Sequence, residues 1–116
     1  MTTEHAKRNP HTRRIAELND AFRQTGQGGS VVATAGVMAR GDDFLKRTVA
    51  AVRHFSEFSV ANDPYGEHDF GTMHVDGHKL FWKIDYYDRS MELHSEDPSD
   101  PGVTSRVLTI MLAEEY

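Results

Sequence analysis

The dipeptide Asp76-Gly77, which separates the segments FGTMHV and HKLFWKI, constrains the fold more than any other feature of the sequence. Asp-Gly is typical of a two-residue type I′ turn, in which both residues adopt positive φ. It therefore predicts a β-hairpin with strands at about residues 67–75 and 78–88. If the loop holds only these two residues, Val75 lies opposite His78, and counting outward fixes every further pair.

Side chains alternate between the two faces of a strand, so this register predicts which residues share a face. One face carries most of the apolar side chains and is assigned to the core: Val75, Met73, Leu80, Trp82 and Ile84. On that face Gly71 lies opposite Trp82 and leaves room for the indole. Lys83 lies on the other face, which indicates that this side meets water, a cleft or a partner.

The same count places His68 opposite Asp85 on the open face. A carboxylate beside an imidazole fixes its tautomer, which is the arrangement of a general base with an orienting acid. With Lys83 as a charge stabiliser, His68 and Asp85 are the candidate catalytic residues of a hydrolase-like enzyme. The alternative is a cross-strand ion pair, a common feature of sheets, and the pattern leaves both open.

Other kinds of site have weaker support. A metal site could combine His68 and Asp85 with one of three further ligands: His74, Glu67 or Asp69. However, six residues along a strand separate His68 from His74 by roughly 20 Å, and residues 67 and 69 point away from residue 68. The glycine-rich segment 26–30 precedes a predicted strand rather than a helix, so it does not predict a phosphate loop. The sequence has no cysteine, which excludes thiolate ligands and cysteine nucleophiles. We expect no metal ion and no cofactor.

Hydrophobic spacing predicts the elements that precede the hairpin. A helix is expected from an N-cap at Thr12 to a stop at Gly26. Residues 30–40 predict a buried strand with a bulge or bend at Gly36. Asp42 is expected to cap a second helix, whose inward residues are Phe44, Leu45, Thr48, Val52 and Phe55.

The C-terminal segment predicts a last helix over residues 102–116, begun by Asp100 and Pro101. Its β-branched residues leave a strand possible over residues 105–112. The predicted fold is therefore an α+β domain over residues 12–116, in which an antiparallel sheet of three to four strands is packed on one face by about three helices. Residues 1–11 are expected to form a flexible basic arm.

The charge is distributed unevenly along the chain. Residues 1–56 contain nine Lys or Arg and five Asp or Glu, for a net charge of +4, whereas residues 57–116 contain four and thirteen, for −9. No apolar run is long enough to span a bilayer, and the N-terminus has no hydrophobic stretch of a secretory signal. We expect a cytoplasmic protein whose acidic half faces a basic partner through Glu92, Glu96, Asp97 and Asp100.

The segments NDPYGEHDFG, FWKIDYYD and DPSDPGVTSRVLTIMLAEEY together resemble a family of small bacterial proteins that carry a domain of unknown function. The resemblance covers about residues 12–116, and its three motifs are specific. It implies a single intact domain and a setting in plasmids and other mobile elements, mainly of alphaproteobacteria. It implies no activity.

Three functions are compatible with these observations. The favoured one is a non-enzymatic accessory protein that binds another protein and inhibits a host defence or nucleic-acid-handling complex by its acidic surface. The second is the hydrolase-like enzyme based on His68 and Asp85. The third is a DNA-contacting regulator that uses the basic residues of segment 1–14.

Overall fold

The computed structural model describes residues 9–116. Along the chain it contains α1 (Pro10–Thr25), β1 (Gly29–Ala33), α2 (Ala35–Met38), α3 (Asp42–Arg53), β2 (Phe70–Val75), β3 (His78–Tyr87), β4 (Ser105–Leu112) and a short 3-10 helix (Ala113–Glu115). The strands form one four-stranded sheet in the order β1-β4-β3-β2. The predicted α+β class with about three helices is confirmed.

The hairpin has the predicted register. Asp76 and Gly77 have φ values of 51° and 80°, and the pairs run from Val75↔His78 to Phe70↔Lys83. β3 also pairs antiparallel with β4 along its other edge. β1 differs, because it pairs parallel to β4, so the sheet is mostly antiparallel with one parallel pair.

The predicted C-terminal helix is wrong over residues 105–112, which form β4, the alternative that β-branched residues left open. The strand lies between β1 and β3 and is hydrogen-bonded to both. A position between two strands suits the β-branched side chains of Val107, Thr109 and Ile110. The segment is apolar on both faces, with Met111 and Ile110 both buried, so its hydrophobic pattern did not distinguish a helix from a strand.

The predicted buried strand over residues 30–40 is also wrong in extent and in burial. β1 ends at Ala33 and lies at the edge of the sheet, and Gly36 belongs to α2 rather than to a bulge. The chain leaves the sheet after the Thr34 backbone N–H donates to the Ile110 carbonyl (3.0 Å). α2 then places Val37, which has no solvent exposure, in the core.

The N-caps of α1 and α3 differ from those expected. The N-cap of α1 is Asn9, whose side chain accepts a hydrogen bond from the Thr12 backbone N–H at 2.8 Å. α1 ends as predicted at Gly26, with φ of 76°. α3 begins at Asp42 itself, after Gly41.

The core lies between the helices and one face of the sheet. Its sheet side consists of alternate residues of the three neighbouring strands: Met73, Val75, Leu80, Trp82, Ile84, Tyr86, Leu108, Ile110 and Leu112. The helices contribute Ile15, Phe22, Val37, Phe44 and Val52. Over the described part of the chain, no helix combines the length and apolar character that crossing a bilayer requires.

Gly71 is required where β2 passes beneath Trp82. A Cβ at this position would overlap Trp82 Nε1 and would lie 2.9 Å from Phe55 Cζ. Trp82 is completely buried and packs edge-on against Phe55 at 5.5 Å. Trp82 is enclosed on all sides, so the glycine sets the fit of the largest core residue.

We therefore expect Gly71→Ala to lower the free energy of unfolding by about 1–3 kcal/mol, because an overpacked core must shift rings or backbone. Urea denaturation followed by Trp82 fluorescence measures this change. Gly102→Ala is the matched control, since Gly102 lies in a loop and a Cβ there would have an Asp100 carboxylate oxygen as its nearest neighbour. Equal stability of the two variants would contradict this account.

Candidate functional site

His68 does not occupy the position that the hairpin count gave it. The β2–β3 ladder ends at Phe70↔Lys83, and His68, two residues earlier, has a φ of 57°. This left-handed backbone turns its side chain away from the strand alternation. The expectation that His68 lies opposite Asp85 is therefore wrong.

The two residues lie on opposite faces of the sheet. The His68 ring stacks on Phe58, which in turn contacts Trp82 on the helix-covered face. Asp85 lies on the open face, where its carboxylate is 3.2 Å from Lys83 Nζ. The structure thus keeps Lys83 with Asp85 and separates both from His68, and the catalytic role of these residues stays a prediction.

The His68 imidazole is held between two carboxylates. Nδ1 lies 2.9 Å from Asp20 Oδ1 on α1, and Nε2 lies 3.5 Å from Asp63 Oδ2. The His68 backbone N–H also donates to Asp63 Oδ1 at 3.2 Å. Phe58 covers one face of the ring, with parallel planes and centroids 3.9 Å apart. These contacts join α1 to the loop between α3 and β2.

Arg23 attaches the same region to the end of α3. Its guanidinium donates to Asp20 Oδ1 at 2.9 Å and to the backbone carbonyls of Val52 and Phe55 at 3.1 and 3.0 Å. Burial would raise the pKa of Asp20, but hydrogen bonds from His68 and Arg23 outweigh it, and the pKa lies below its usual value. Asp20 is thus held ionised by two partners.

A second polar network lies deeper, around Asn19, which is fully buried. Its amide donates to the Tyr86 hydroxyl at 2.8 Å and accepts from Arg106 Nε at 2.7 Å. The Tyr86 hydroxyl donates to Glu67 Oε1 at 2.8 Å. Burial raises the pKa of Tyr86, and the negative charges of Asp69 and Glu67 raise it further. The hydroxyl therefore acts here as a neutral donor and acceptor.

Asp69 has the most perturbed carboxyl group of this region. Burial, with added repulsion from Glu67, Asp63 and Asp85, raises its pKa to about 6. A carboxyl with such a pKa is suited to proton transfer, but repulsion among neighbouring carboxylates has the same effect in sites without chemistry. The structure supplies the cause of the shift and assigns no reaction to it.

The open face of the sheet carries a small aromatic cluster. Phe70 and Phe81 lie on neighbouring strands with centroids 5.3 Å apart, and Tyr116 packs against both, at 6.2 and 5.3 Å. Lys79 Nζ lies 5.6 Å from the centre of the Phe81 ring. The C-terminal tyrosine therefore partly covers the patch that the strand pattern exposes.

The segment 88–104, named here the acidic loop, connects β3 to β4 and contains all four predicted partner-binding residues. Glu92, Glu96 and Asp100 are exposed, and Asp97 is half-buried. The Asp97 carboxylate accepts from the Ser99 hydroxyl at 2.6 Å and lies 3.4 Å from His11 Nε2. Asp97 therefore stabilises the conformation of the loop, as does Asp100, whose Oδ1 accepts from the Gly102 backbone N–H at 2.8 Å. Glu92 and Glu96 are exposed to solvent.

Two further expectations concern ligands. Among residues 9–116, no group of three or more His, Asp or Glu side chains is arranged to hold a metal ion. Residues 1–8 of the basic arm proposed for DNA contact lie outside the described residues. Its continuation is helical, and Arg14 Nη1 on α1 is 3.7 Å from Glu17.

Sequence reasoning missed the partners that hold this region together, namely Asn19, Asp20, Arg23, Asp63 and Arg106. One signal was present in the sequence. Asn19 falls four residues after Ile15 and three before Phe22, on the apolar stripe of α1. A polar residue on such a stripe needs a buried partner, but the sequence does not identify that partner.

The contacts of His68 predict its effect on stability. Replacing it with alanine removes the group between Asp20 and Asp63, and the Asp63 side chain is only 2% exposed. We expect His68→Ala to lower the free energy of unfolding by about 2–4 kcal/mol, because the buried Asp63 carboxylate loses the polar group that faces it. Chemical denaturation checks this, with the exposed His74→Ala as control. Equal losses in the two variants would contradict the role assigned to His68.

The raised pKa of Asp69 predicts a pH dependence. The folded state binds this proton more tightly than the unfolded state, so stability falls as pH rises from about 4 to about 6. Asp69→Asn should therefore stabilise the protein at pH 8 by about 1–2 kcal/mol, allowing for partial solvent screening. The gain should vanish at pH 4. Urea denaturation at both pH values measures it, and a gain that is independent of pH would contradict the assignment.

Comparison with known proteins identifies the family. The model of a family described as "Protein of unknown function (DUF3768)" matches residues 33–115, which include α2, α3 and every strand except most of β1. No curated protein and no solved structure matches the chain. Since the match covers well over half of the sequence, the chain belongs to the family of proteins of unknown function DUF3768.

Proposed function

We propose that this chain is a non-enzymatic protein that binds another protein, and that the acidic loop contacts a basic surface of that partner. The observation that carries the proposal is the exposure of large apolar side chains among carboxylates in one ordered loop. Leu93, Met91 and Val103 are 70%, 49% and 42% exposed. Apolar residues surrounded by charged ones are typical of a binding surface.

The loop is ordered by its own carboxylates. Asp88 Oδ1 accepts from the Ser90 hydroxyl at 2.9 Å and from the Glu92 backbone N–H at 3.0 Å, and backbone and side-chain hydrogen bonds of this kind lower its pKa. The Ser95 and Thr104 hydroxyls, 2.7 Å apart, join the middle of the loop to its C-terminal end. A loop already held in its conformation loses less entropy when it binds.

Leu93 lies beside a groove that offers a place for a partner side chain. The groove has a volume of about 310 Å³, and its walls include Leu93, His94 and Val103. Asp88 and Glu96 also line the groove, together with Arg89. This combination fits a partner that presents an apolar side chain flanked by lysine or arginine.

The charge of the C-terminal half supports attraction to such a partner. With four Lys or Arg and thirteen Asp or Glu, residues 57–116 carry −9. An excess of one sign accelerates association with an oppositely charged surface and makes it sensitive to salt. A surface that normally binds nucleic acid is one class of basic surface that the loop would suit.

The proposal also includes a biological setting, namely an accessory role in mobile elements. The resemblance of the three motif segments to proteins of plasmids and other mobile elements supports an accessory role. In that setting the partner would be a host defence or nucleic-acid-handling complex, which the acidic loop would inhibit by occupying its basic surface.

The geometry around His68 gives no support to the hydrolase alternative. Both ring nitrogens face carboxylates, and the His68 side chain is only 15% exposed. Phe58 covers one face of the ring. The imidazole is thus arranged to join α1 to the loop that precedes β2, and we propose no second function for it.

The test uses the intact protein as bait in a lysate of its natural host, followed by binding measurements with the purified partner. Leu93→Ser should weaken binding about tenfold or more, as expected for the central apolar residue of a small interface. The double variant Glu92→Lys/Glu96→Lys should slow association and reduce its dependence on salt.

Matched controls are available elsewhere on the surface. Val60→Ser removes a side chain that is 39% exposed, and Glu17→Lys/Glu57→Lys makes the same change of net charge outside the acidic loop. The proposal requires that both controls bind like the unmodified protein. Capture of the same partner by the loop variants with unchanged affinity would overturn it.

A further inference from the structure

The edge strand β1 lacks the features that usually prevent a sheet edge from pairing with another strand. Within residues 9–116, β4 is its one strand neighbour, so its outer backbone groups face away from the sheet. Its sequence, GSVVA, contains no charge and no proline. Val31 and Val32 are 42% and 45% exposed. An exposed, uncharged and apolar edge is a template for a further strand.

An apolar groove follows this edge on the helix-covered side of the sheet. It has a volume of about 430 Å³ and is formed by β1, α2 and α3, with Val31, Met38, Leu45 and Val49 in its walls. Met38 is 52% exposed. A second groove shares Leu45 and Val49 and continues along α3 to Lys46 and Arg53. Edge and groove together form one continuous surface, named here the β1–α3 surface.

Charged residues in and next to this surface are arranged asymmetrically along α3. One face of the helix carries four residues at spacings of four, three and four: Asp42, Lys46, Val49 and Arg53. The Asp42 end follows α2 and therefore lies toward the Ala33 end of β1. The Arg53 end lies toward the start of β1, since Arg53 Nη2 is 3.1 Å from the position a Cβ on Gly26 would occupy.

We propose that the occupant of the β1–α3 surface is a second copy of this chain. In a two-fold dimer, β1 would pair antiparallel with its copy about Val31, the central residue of Gly29–Ala33. The two four-stranded sheets would form one continuous sheet of eight strands. Antiparallel pairing also brings the Asp42 end of one α3 beside the Arg53 end of the other.

This charge arrangement favours a second copy over an unrelated peptide. Under the two-fold axis each Asp42 faces an Arg53 and each Lys46 faces a Val49, so no like charges are directly opposed. The apolar side chains around Val31 meet their own copies at the centre. A self-complementary patch of this kind is what an isologous interface requires, whereas a uniformly charged peptide would match only one end of α3.

Light scattering coupled to size-exclusion chromatography, over a range of protein concentrations, tests the proposal. We expect a dimer that dissociates on dilution. Val31→Lys should yield a monomer, because it puts two charges at the two-fold axis. Val103→Lys, at an apolar residue of equal 42% exposure, should remain dimeric.

Exchanging the two charges provides a test that misfolding of a single variant cannot mimic. Asp42→Arg and Arg53→Asp should each raise the dissociation constant of the dimer about tenfold, by placing like charges in opposition. The double variant should recover it to within about threefold. Within one chain the two residues are separated by about 16 Å of helix, so recovery reports pairing between copies. Circular dichroism verifies that each variant is folded.

Two results would overturn the proposal. One is a monomer at every concentration of the unmodified protein. The other is a dimer that Val31→Lys and both single charge variants leave intact. Neither result bears on the acidic loop, because the proposed dimer interface contains no residue of that loop. The interface variants are judged by the oligomeric state alone.

Discussion

The alternation of side chains along β3 determines which residues of this protein face the helices. Leu80, Trp82, Ile84 and Tyr86 are buried on one face, while the intervening residues are half-buried on the other. β3 is hydrogen-bonded along both edges, to β2 and to β4. A shift of its register by one residue would expose Trp82 to solvent and bury Lys83, so the turn that fixes the register also fixes the core.

Polar groups then determine where α1 rests on that core. Asn19 and Arg23 are almost completely buried, and each bonds to parts of the chain remote in sequence: β3, β4, the end of α3 and the loop that follows it. Such bonds are directional, so they select one position of the helix where apolar packing alone would tolerate several. They also explain why the loop before β2 has a defined shape. His68 is held there by carboxylates from α1 and from the loop itself.

The sequence predicted those features that local chemistry determines. Asp76-Gly77 was sufficient to give the hairpin register, because only a few residue types accept positive φ at two successive positions. The same count failed at His68, where the backbone has a positive φ and the residue bonds to Asp20 and Asp63, 48 and 5 residues away. β4 was mistaken for a helix because strand pairing on both sides, not its own hydrophobic pattern, determines its conformation. The buried partners of Asn19 could not be predicted for the same reason, since they lie 48 to 87 residues away along the chain.

The two proposed surfaces have a joint consequence. Among residues 9–116, helices cover one face of the sheet, and apolar side chains at the β1 edge and in the acidic loop remain exposed. A two-fold dimer through β1 would bury the first set and would present two acidic loops in a fixed relation to each other. A partner with two basic sites at the matching separation would then bind the second loop at a high effective concentration. Dimerisation and partner binding would thus reinforce each other without any contact between the two surfaces, because the geometry of the shared sheet couples them.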